Sequence, residues 1–249
     1  MENYFSNYHL PFVFEIVAAV VATITFIINP KSKDKSLLYF TIYLWFVVLV
    51  ENIGLYPKYI CNHKYDESGF FANNIDLIKN FWIYNIYTVI AYSFFSIYFF
   101  KQFADNKLLK KVKLFLCFFL IFSMSYMLWT GVFIRSYSKF IELLGLVIYL
   151  ISVGYYYYKL LTSNKILSIG KSLPFFISIS TLLFFLTMTP LFLSSEFISI
   201  REAVFTKYYR IIITYANYFL YGMFIFGIVK CYWFKKSQSK KSSLSSTLS

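Results

Sequence analysis

The sequence predicts an all-α integral membrane protein, a bundle of seven transmembrane helices with the N-terminus outside and the C-terminus in the cytoplasm. Three observations carry this reading. Of 249 residues, 59% are hydrophobic and 14% charged, against about 45–50% apolar and about 25% charged residues in soluble domains. Mean hydropathy is +0.62, and apolar runs exceed the roughly 18 residues that cross a hydrocarbon core of about 30 Å. Lys and Arg gather in alternate gaps between those runs.

Seven spans can be drawn. The first covers about 10–29 and opens with Pro11 in its first turn, where a missing N–H costs little. The second covers 37–56 and stops at Pro57, which cannot continue a helix. The third, fourth and fifth fall at 78–100, 114–134 and 141–161. The sixth, at 173–193, contains Pro190 near Thr187, which predicts a kink in its outer part. The seventh runs 211–233. Residues 1–234 therefore form one seven-helix domain. The remaining 235–249 are rich in Lys and Ser without apolar periodicity, which predicts a disordered cytoplasmic tail.

Orientation follows from the basic residues. The gaps at 31–35, 101–113 and 159–171, with the stretch from Lys230 to Lys241, hold sixteen of the 24 Lys and Arg. The gaps at 58–79, 135–139 and 201–210 hold the other eight. The richer side is cytoplasmic. Met1–His9 has no basic residue and carries Glu2, which argues against a cleaved signal peptide.

Composition excludes several function classes. A formal net charge of +13 suggests nucleic-acid binding only where a solvated basic face exists, and here the lysines sit in short gaps. No nucleic-acid partner is expected. Cys61, Cys117 and Cys231 are an odd number with no CxxC or Cys/His spacing, so neither a disulfide framework nor a metal site is supported. His9 and His63 fall outside the spans and read as surface residues. No HExxH, GxSxG, GxxxxGK[ST] or GxGxxG motif occurs, and no span contains His or Asp, so no enzyme and no cofactor is expected. The N-outside, seven-span layout is similar to rhodopsins and G-protein-coupled receptors. A retinal Schiff base needs a lysine in the middle of the last helix, and Lys230 stands at its cytoplasmic end. With 31 Phe and 24 Tyr, most rings are expected to face lipid or fill the core, and Tyr155–Tyr158 to form an interfacial belt.

Ionisable and amide groups inside the spans are costly and therefore mark candidate sites. They are Glu15 on the first helix, Glu51 and Asn52 on the second, Asn85 on the third, Glu142 on the fifth and Asn217 on the seventh. All fall in the outer half of the predicted bundle. Glu15 shares a stripe with Ala18, Ala19 and Ala22, small residues that let helices approach. Asn85, Thr88, Tyr92 and Ser96 form a polar stripe; so do Glu142, Gly145, Tyr149 and Ser152, and also Thr214, Asn217 and Tyr221. Together they predict an outward polar cup. Its candidate ligand-binding residues are Glu15, Glu51, Asn52, Asn85, Tyr92, Glu142, Tyr149, Asn217 and Tyr221. The competing reading is that these groups only hydrogen-bond neighbouring helices.

Helices one to three and five to seven show some correspondence. Phe14-Glu15-Ile16 answers Ile141-Glu142-Leu143, and Lys35-Ser36-Leu37 answers Lys171-Ser172-Leu173. Tyr84-Asn85-Ile86-Tyr87 opens helix three much as Tyr215-Ala216-Asn217-Tyr218 opens helix seven. A 3+1+3 parallel repeat is found in sugar transporters of the SWEET type, although the Pro-Gln signature of the related PQ-loop proteins is absent.

Three features carry a resemblance. They are Glu51-x-x-Gly54-x-Tyr56, the linker Ser163-Asn164-Lys165-Ile166-Leu167, and Lys171-Ser172-Leu173-x-Phe175-x-Ile177-Ser178. On these the chain resembles an uncharacterised family of small seven-span proteins common in Bacteroidota. The resemblance implies a bacterial inner-membrane location and contributes no catalytic or binding residues.

The leading functional expectation is a receptor-like sensor that binds a small ligand in the cup and signals through a separate cytoplasmic or membrane partner. The alternative is a small-solute transporter built on the repeat, and the third reading a structural or lipid-organising subunit. The bilayer itself is a partner. The basic cytoplasmic face, with Lys107–Lys113 at its centre, is expected to attract anionic lipid at about 1 kcal/mol per residue.

Overall fold

The computed structural model describes residues 9–28, 35–57, 79–164, 169–170, 172–194 and 203–233. The predicted tail at 235–249, Cys61, His63 and most of the Ser163–Leu167 linker lie outside the described residues. Among the described residues there are eight α-helices and no strand: α1 His9–Ile28, α2 Lys35–Gly54, α3 Phe81–Phe100, α4 Asn106–Trp129, α5 Val132–Arg135, α6 Lys139–Leu161, α7 Leu173–Ser194 and α8 Ala203–Ile228. A π-helical segment, Val229–Trp233, continues α8. All but the single-turn α5 are long and apolar enough to cross a membrane, which makes the chain a multi-pass integral membrane protein.

Several boundaries depart from the sequence expectation, each for a local reason. The fourth span begins at Asn106 rather than 114. Asp105 caps it, its Oδ1 accepting the Leu108 N–H at 3.0 Å, and Lys107–Lys113 then form ordinary helical turns with their long side chains exposed. The same helix stops at Trp129 because Gly131 turns the chain at φ 69°, a left-handed conformation that glycine adopts without a Cβ penalty. The residues to 134 become the separate turn α5. The seventh span starts at Ala203 rather than 211, with Lys207 and Arg210 exposed. α7 runs through Pro190 to Ser194, where the Thr187 hydroxyl donates to the Leu183 carbonyl at 2.8 Å.

The chain divides into two compact units, Met1–Val48 with Ser163–Ser249, and Leu49–Thr162. In unit one α8 packs on both α1 and α7. Ala18, Ala19 and Ala22 are fully buried and Glu15 lies beside them at 6% exposure, so the small-residue stripe does face protein. Phe40 meets Phe224 edge to face at 4.9 Å. The Trp45 indole donates to the Thr23 hydroxyl and the Trp233 indole to Thr25, each at 2.9 Å. Gly227 lets the Phe176 side chain lie where a Cβ would stand, 2.7 Å from its nearest atom.

In unit two α3 is the central element, packed on α4, α5 and α6, with α3–α6 the largest interface. An aromatic column fills it: Tyr149 of α6 lies 6.4, 6.3 and 6.2 Å from the rings of Tyr92, Phe95 and Phe99. Tyr156 continues the column, 5.5 Å from Phe99 and 1% exposed. The expected belt at Tyr155–Tyr158 is therefore only partial. Tyr158 is exposed, with Lys159 over its ring, whereas Tyr156 is core.

The third span packs chiefly on the fifth, and the first on the seventh.

Candidate functional site

The end of α2 carries Glu51-x-x-Gly54-x-Tyr56, and each of its three positions engages the chain that opens α3. The Tyr84 hydroxyl donates to Glu51 Oε2 at 2.9 Å. Gly54 makes this approach possible, because a Cβ there would stand 2.7 Å from the Tyr84 oxygen. The Gly54 carbonyl, left over at the helix end, accepts from Asn80 Nδ2 at 2.9 Å. Tyr56 donates to the Lys79 carbonyl at 3.0 Å and accepts from the Trp82 indole at 3.1 Å. Asn80 opens α3 without capping it by a side-chain bond; its amide serves α2 instead.

A second cluster repeats the device on α6. The Tyr92 hydroxyl donates to Glu142 Oε1 at 2.7 Å. Gly145, three residues on, leaves room for the Tyr92 ring, whose nearest carbon lies 2.3 Å from the position a Cβ would take. Glu-x-x-Gly thus occurs at 51–54 and 142–145, each time with a tyrosine of α3 seated over the glycine and bonded to the glutamate.

The two carboxylates differ in electrostatic setting. Glu142 lies in the first turn of α6, where the positive end of the helix dipole favours an anion. Glu51 lies in the last turn of α2, where the dipole's negative end opposes one. Among the described residues its electrostatic partner is the Tyr84 hydroxyl, a neutral donor. Glu51 is half-buried and Asn52 beside it is exposed.

Asn85 is used differently. Its Nδ2 donates to the carbonyls of Phe133 at 3.0 Å and Ser136 at 2.9 Å, while its Oδ1 accepts the Ser138 N–H at 3.0 Å. At 4% exposure it fastens the α5 turn and the start of α6 to α3. Tyr149 is fully buried in the aromatic column. The structure therefore brings Asn85, Tyr92, Glu142 and Tyr149 into one packed interface, with Glu51 and Asn52 at the end of α2 in the same unit. In unit one, Glu15 is buried; Asn217 donates to the Ile213 carbonyl of its own helix at 2.9 Å; and Tyr221 packs 5.9 Å from Phe224.

Sequence reasoning did not include Tyr84, Tyr56, Asn80 or Trp82 among the candidates. The signal that points to them is the shared Glu-x-x-Gly spacing, which puts carboxylate and glycine on one helix face and calls for a large partner with a polar tip. No protein-family model matches this chain, nor does any curated protein or solved structure.

Proposed function

We propose that the protein is a receptor-like sensor whose ligand binds at the Glu51 end of unit two. The observation that carries this reading is the imbalance at Glu51, a half-buried carboxylate at the negative end of a helix, held by one neutral hydroxyl and bordered by the exposed Asn52. Asn85, Tyr92 and Tyr149 of the same unit are buried in packing, whereas Glu51 is half-buried and Asn52 exposed at the end of α2. The distribution of Lys and Arg supports an outward orientation for this end, and the family resemblance supports a bacterial inner membrane. Signalling then passes to a separate partner at the basic face, where Lys107, Lys110, Lys111 and Lys113 stand exposed on the first turns of α4 and attract anionic lipid.

The transporter alternative draws on a 3+1+3 repeat; exchanging helices one to three with five to seven maps the pairing of the first span with the seventh onto that of the fifth with the third, so these pairings do not argue against it. The test is accessibility. In a chain with Cys61, Cys117 and Cys231 changed to Ser, Asn52→Cys is reacted with an impermeant thiol reagent from each side of the membrane. Reaction from outside alone supports a receptor. Reaction from both sides points to transport and overturns the reading, and reaction from the cytoplasm alone overturns the orientation on which it stands.

A further inference from the structure

Resting on the placement of a ligand at the Glu51 end, we propose that the ligand is an organic cation, an alkylammonium whose charge sits against the Glu51 carboxylate and whose carbon groups lie against the neighbouring rings. The charge argument comes first. The last turn of α2 presents carbonyl oxygens and roughly half a unit of negative charge from its aligned peptide dipoles, and Glu51 adds a carboxylate to it. The opposing group among the described residues is the Tyr84 hydroxyl at 2.9 Å, which carries no charge. An anion at this rim meets like charge. A neutral solute leaves the carboxylate uncompensated in a setting where desolvation is expensive.

Glu142 provides the internal comparison. It receives a tyrosine hydroxyl in the same way, yet it stands at a helix start, where the dipole compensates it. Among the described residues, the same side-chain pair is therefore favoured by the helix dipole at one end of α3's contacts and opposed by it at the other.

The rings decide between an inorganic and an organic cation. A hard divalent ion takes six or more oxygen ligands, and among the described residues Glu51 is the single carboxylate of the cluster. Its described hydrogen-bond partner, Tyr84, instead belongs to an aromatic group on α3 and the chain before α6. Tyr84 lies 6.4 Å from Tyr137, Tyr137 lies 4.8 Å from Phe81, and Tyr56 lies 6.5 Å from Trp82. Ring faces attract cations within about 6 Å, and alkylammonium groups combine that attraction with apolar contact.

The experiment uses the full chain in nanodiscs of phosphatidylglycerol and digalactosyldiacylglycerol, free of ammonium headgroups. Saturation-transfer NMR is recorded with choline and with 3,3-dimethylbutan-1-ol, its uncharged carbon isostere. Choline binding at least about tenfold tighter than the isostere is expected, and Glu51→Gln, which keeps an acceptor for Tyr84, should weaken choline by a similar factor. Glu142→Gln should leave choline binding within about twofold. Equal binding of the isostere, undiminished choline binding by a folded Glu51→Gln, or no choline binding by the wild type overturns the proposal. The Asn52→Cys labelling separates the two levels. Outside-only reaction without choline binding removes the ammonium assignment and leaves the receptor reading standing, whereas reaction from both sides removes the receptor reading whatever choline does.

Discussion

Tyr92 of α3 donates its hydroxyl to Glu142 of α6 at 2.7 Å while its ring occupies the space a side chain at Gly145 would need. The bond and the close approach depend on each other. Only a residue without a Cβ lets the ring lie flat enough on α6 for its oxygen to reach back one turn to the carboxylate. Tyr84, Glu51 and Gly54 repeat the relation on α2, so α3 is fastened to two helices by one device used twice. A carboxylate inside a membrane protein costs several kcal/mol unless it finds such a partner.

Substitution of the glycine should therefore be costly where the ring is and harmless where it is not. Gly145→Ala forces a methyl into the Tyr92 ring at 2.3 Å, and Tyr92 is 1% exposed with no room to retreat. Overpacking of this kind costs about 1–3 kcal/mol. Gly154→Ala, on the same helix with nothing within 4 Å, should be neutral or stabilising by about 0.5–1 kcal/mol. Thermal unfolding in detergent compares the two, and equal melting temperatures would refute the jigsaw at Gly145.

Removal of the hydroxyls separates the two glutamates. Tyr92→Phe takes the donor from Glu142 in a buried interface, with an expected loss of about 1 kcal/mol, since hydrogen bonds within membrane proteins average about 0.6 and reach about 1.7 kcal/mol. Tyr84→Phe exposes the less compensated Glu51 further, and its main effect should be on ligand binding rather than on stability. Melting temperature and choline titration of both variants check this. A larger stability loss in Tyr84→Phe than in Tyr92→Phe would contradict the assignment of Glu142 as the structural carboxylate.

The membrane-spanning helices were readable because about 18 apolar residues in a row admit few alternatives. The stripes Glu15/Ala18/Ala19/Ala22 and Asn85/Tyr92/Ser96 were readable because a period of 3.6 determines which residues share a face, and those faces are buried. Helix ends were less so. The start of α4 hid behind four lysines, which weaken an apolar signal but are good helix formers, and its end at Gly131 depends on a left-handed turn that composition does not reveal. Partners across an interface were not legible at all. Asn85 was grouped with a ligand cup, and only the tertiary structure shows its amide spent on the 133–138 backbone. A polar stripe looks the same in sequence whether its donors meet a ligand or another helix.

The lysines at the start of α4 oppose the dipole of their own helix, because a helix N-terminus favours anions. Lys107, Lys110, Lys111 and Lys113 are all exposed there, so the expected attraction of anionic lipid can be tested on them. Replacement of all four by Gln should lower the excess of phosphatidylglycerol over phosphatidylethanolamine that co-purifies with the protein, at about 1 kcal/mol per lysine near the surface. Native mass spectrometry of the detergent-released protein measures this. An unchanged lipid ratio would mean that the patch does not select anionic headgroups.

Asn85 offers the sharpest test of a packing role, because donor and acceptor functions can be removed separately. Asn85→Ala deletes all three hydrogen bonds and takes the partner from two part-buried carbonyls and the buried Ser138 N–H, for about 1–3 kcal/mol. Asn85→Asp keeps the acceptor for Ser138, but an ionised carboxylate has no donor and faces the carbonyls of Phe133 and Ser136 from about 3 Å. The aspartate should therefore be the more damaging change, despite its nearly identical shape. Loosening should appear first in the segment that Asn85 holds. Arg135 is exposed, so tryptic cleavage after it should rise in the order wild type, alanine, aspartate, in step with falling melting temperature. If aspartate instead protects as well as asparagine does, the two Nδ2 bonds contribute nothing and α5 is held by its apolar contacts alone.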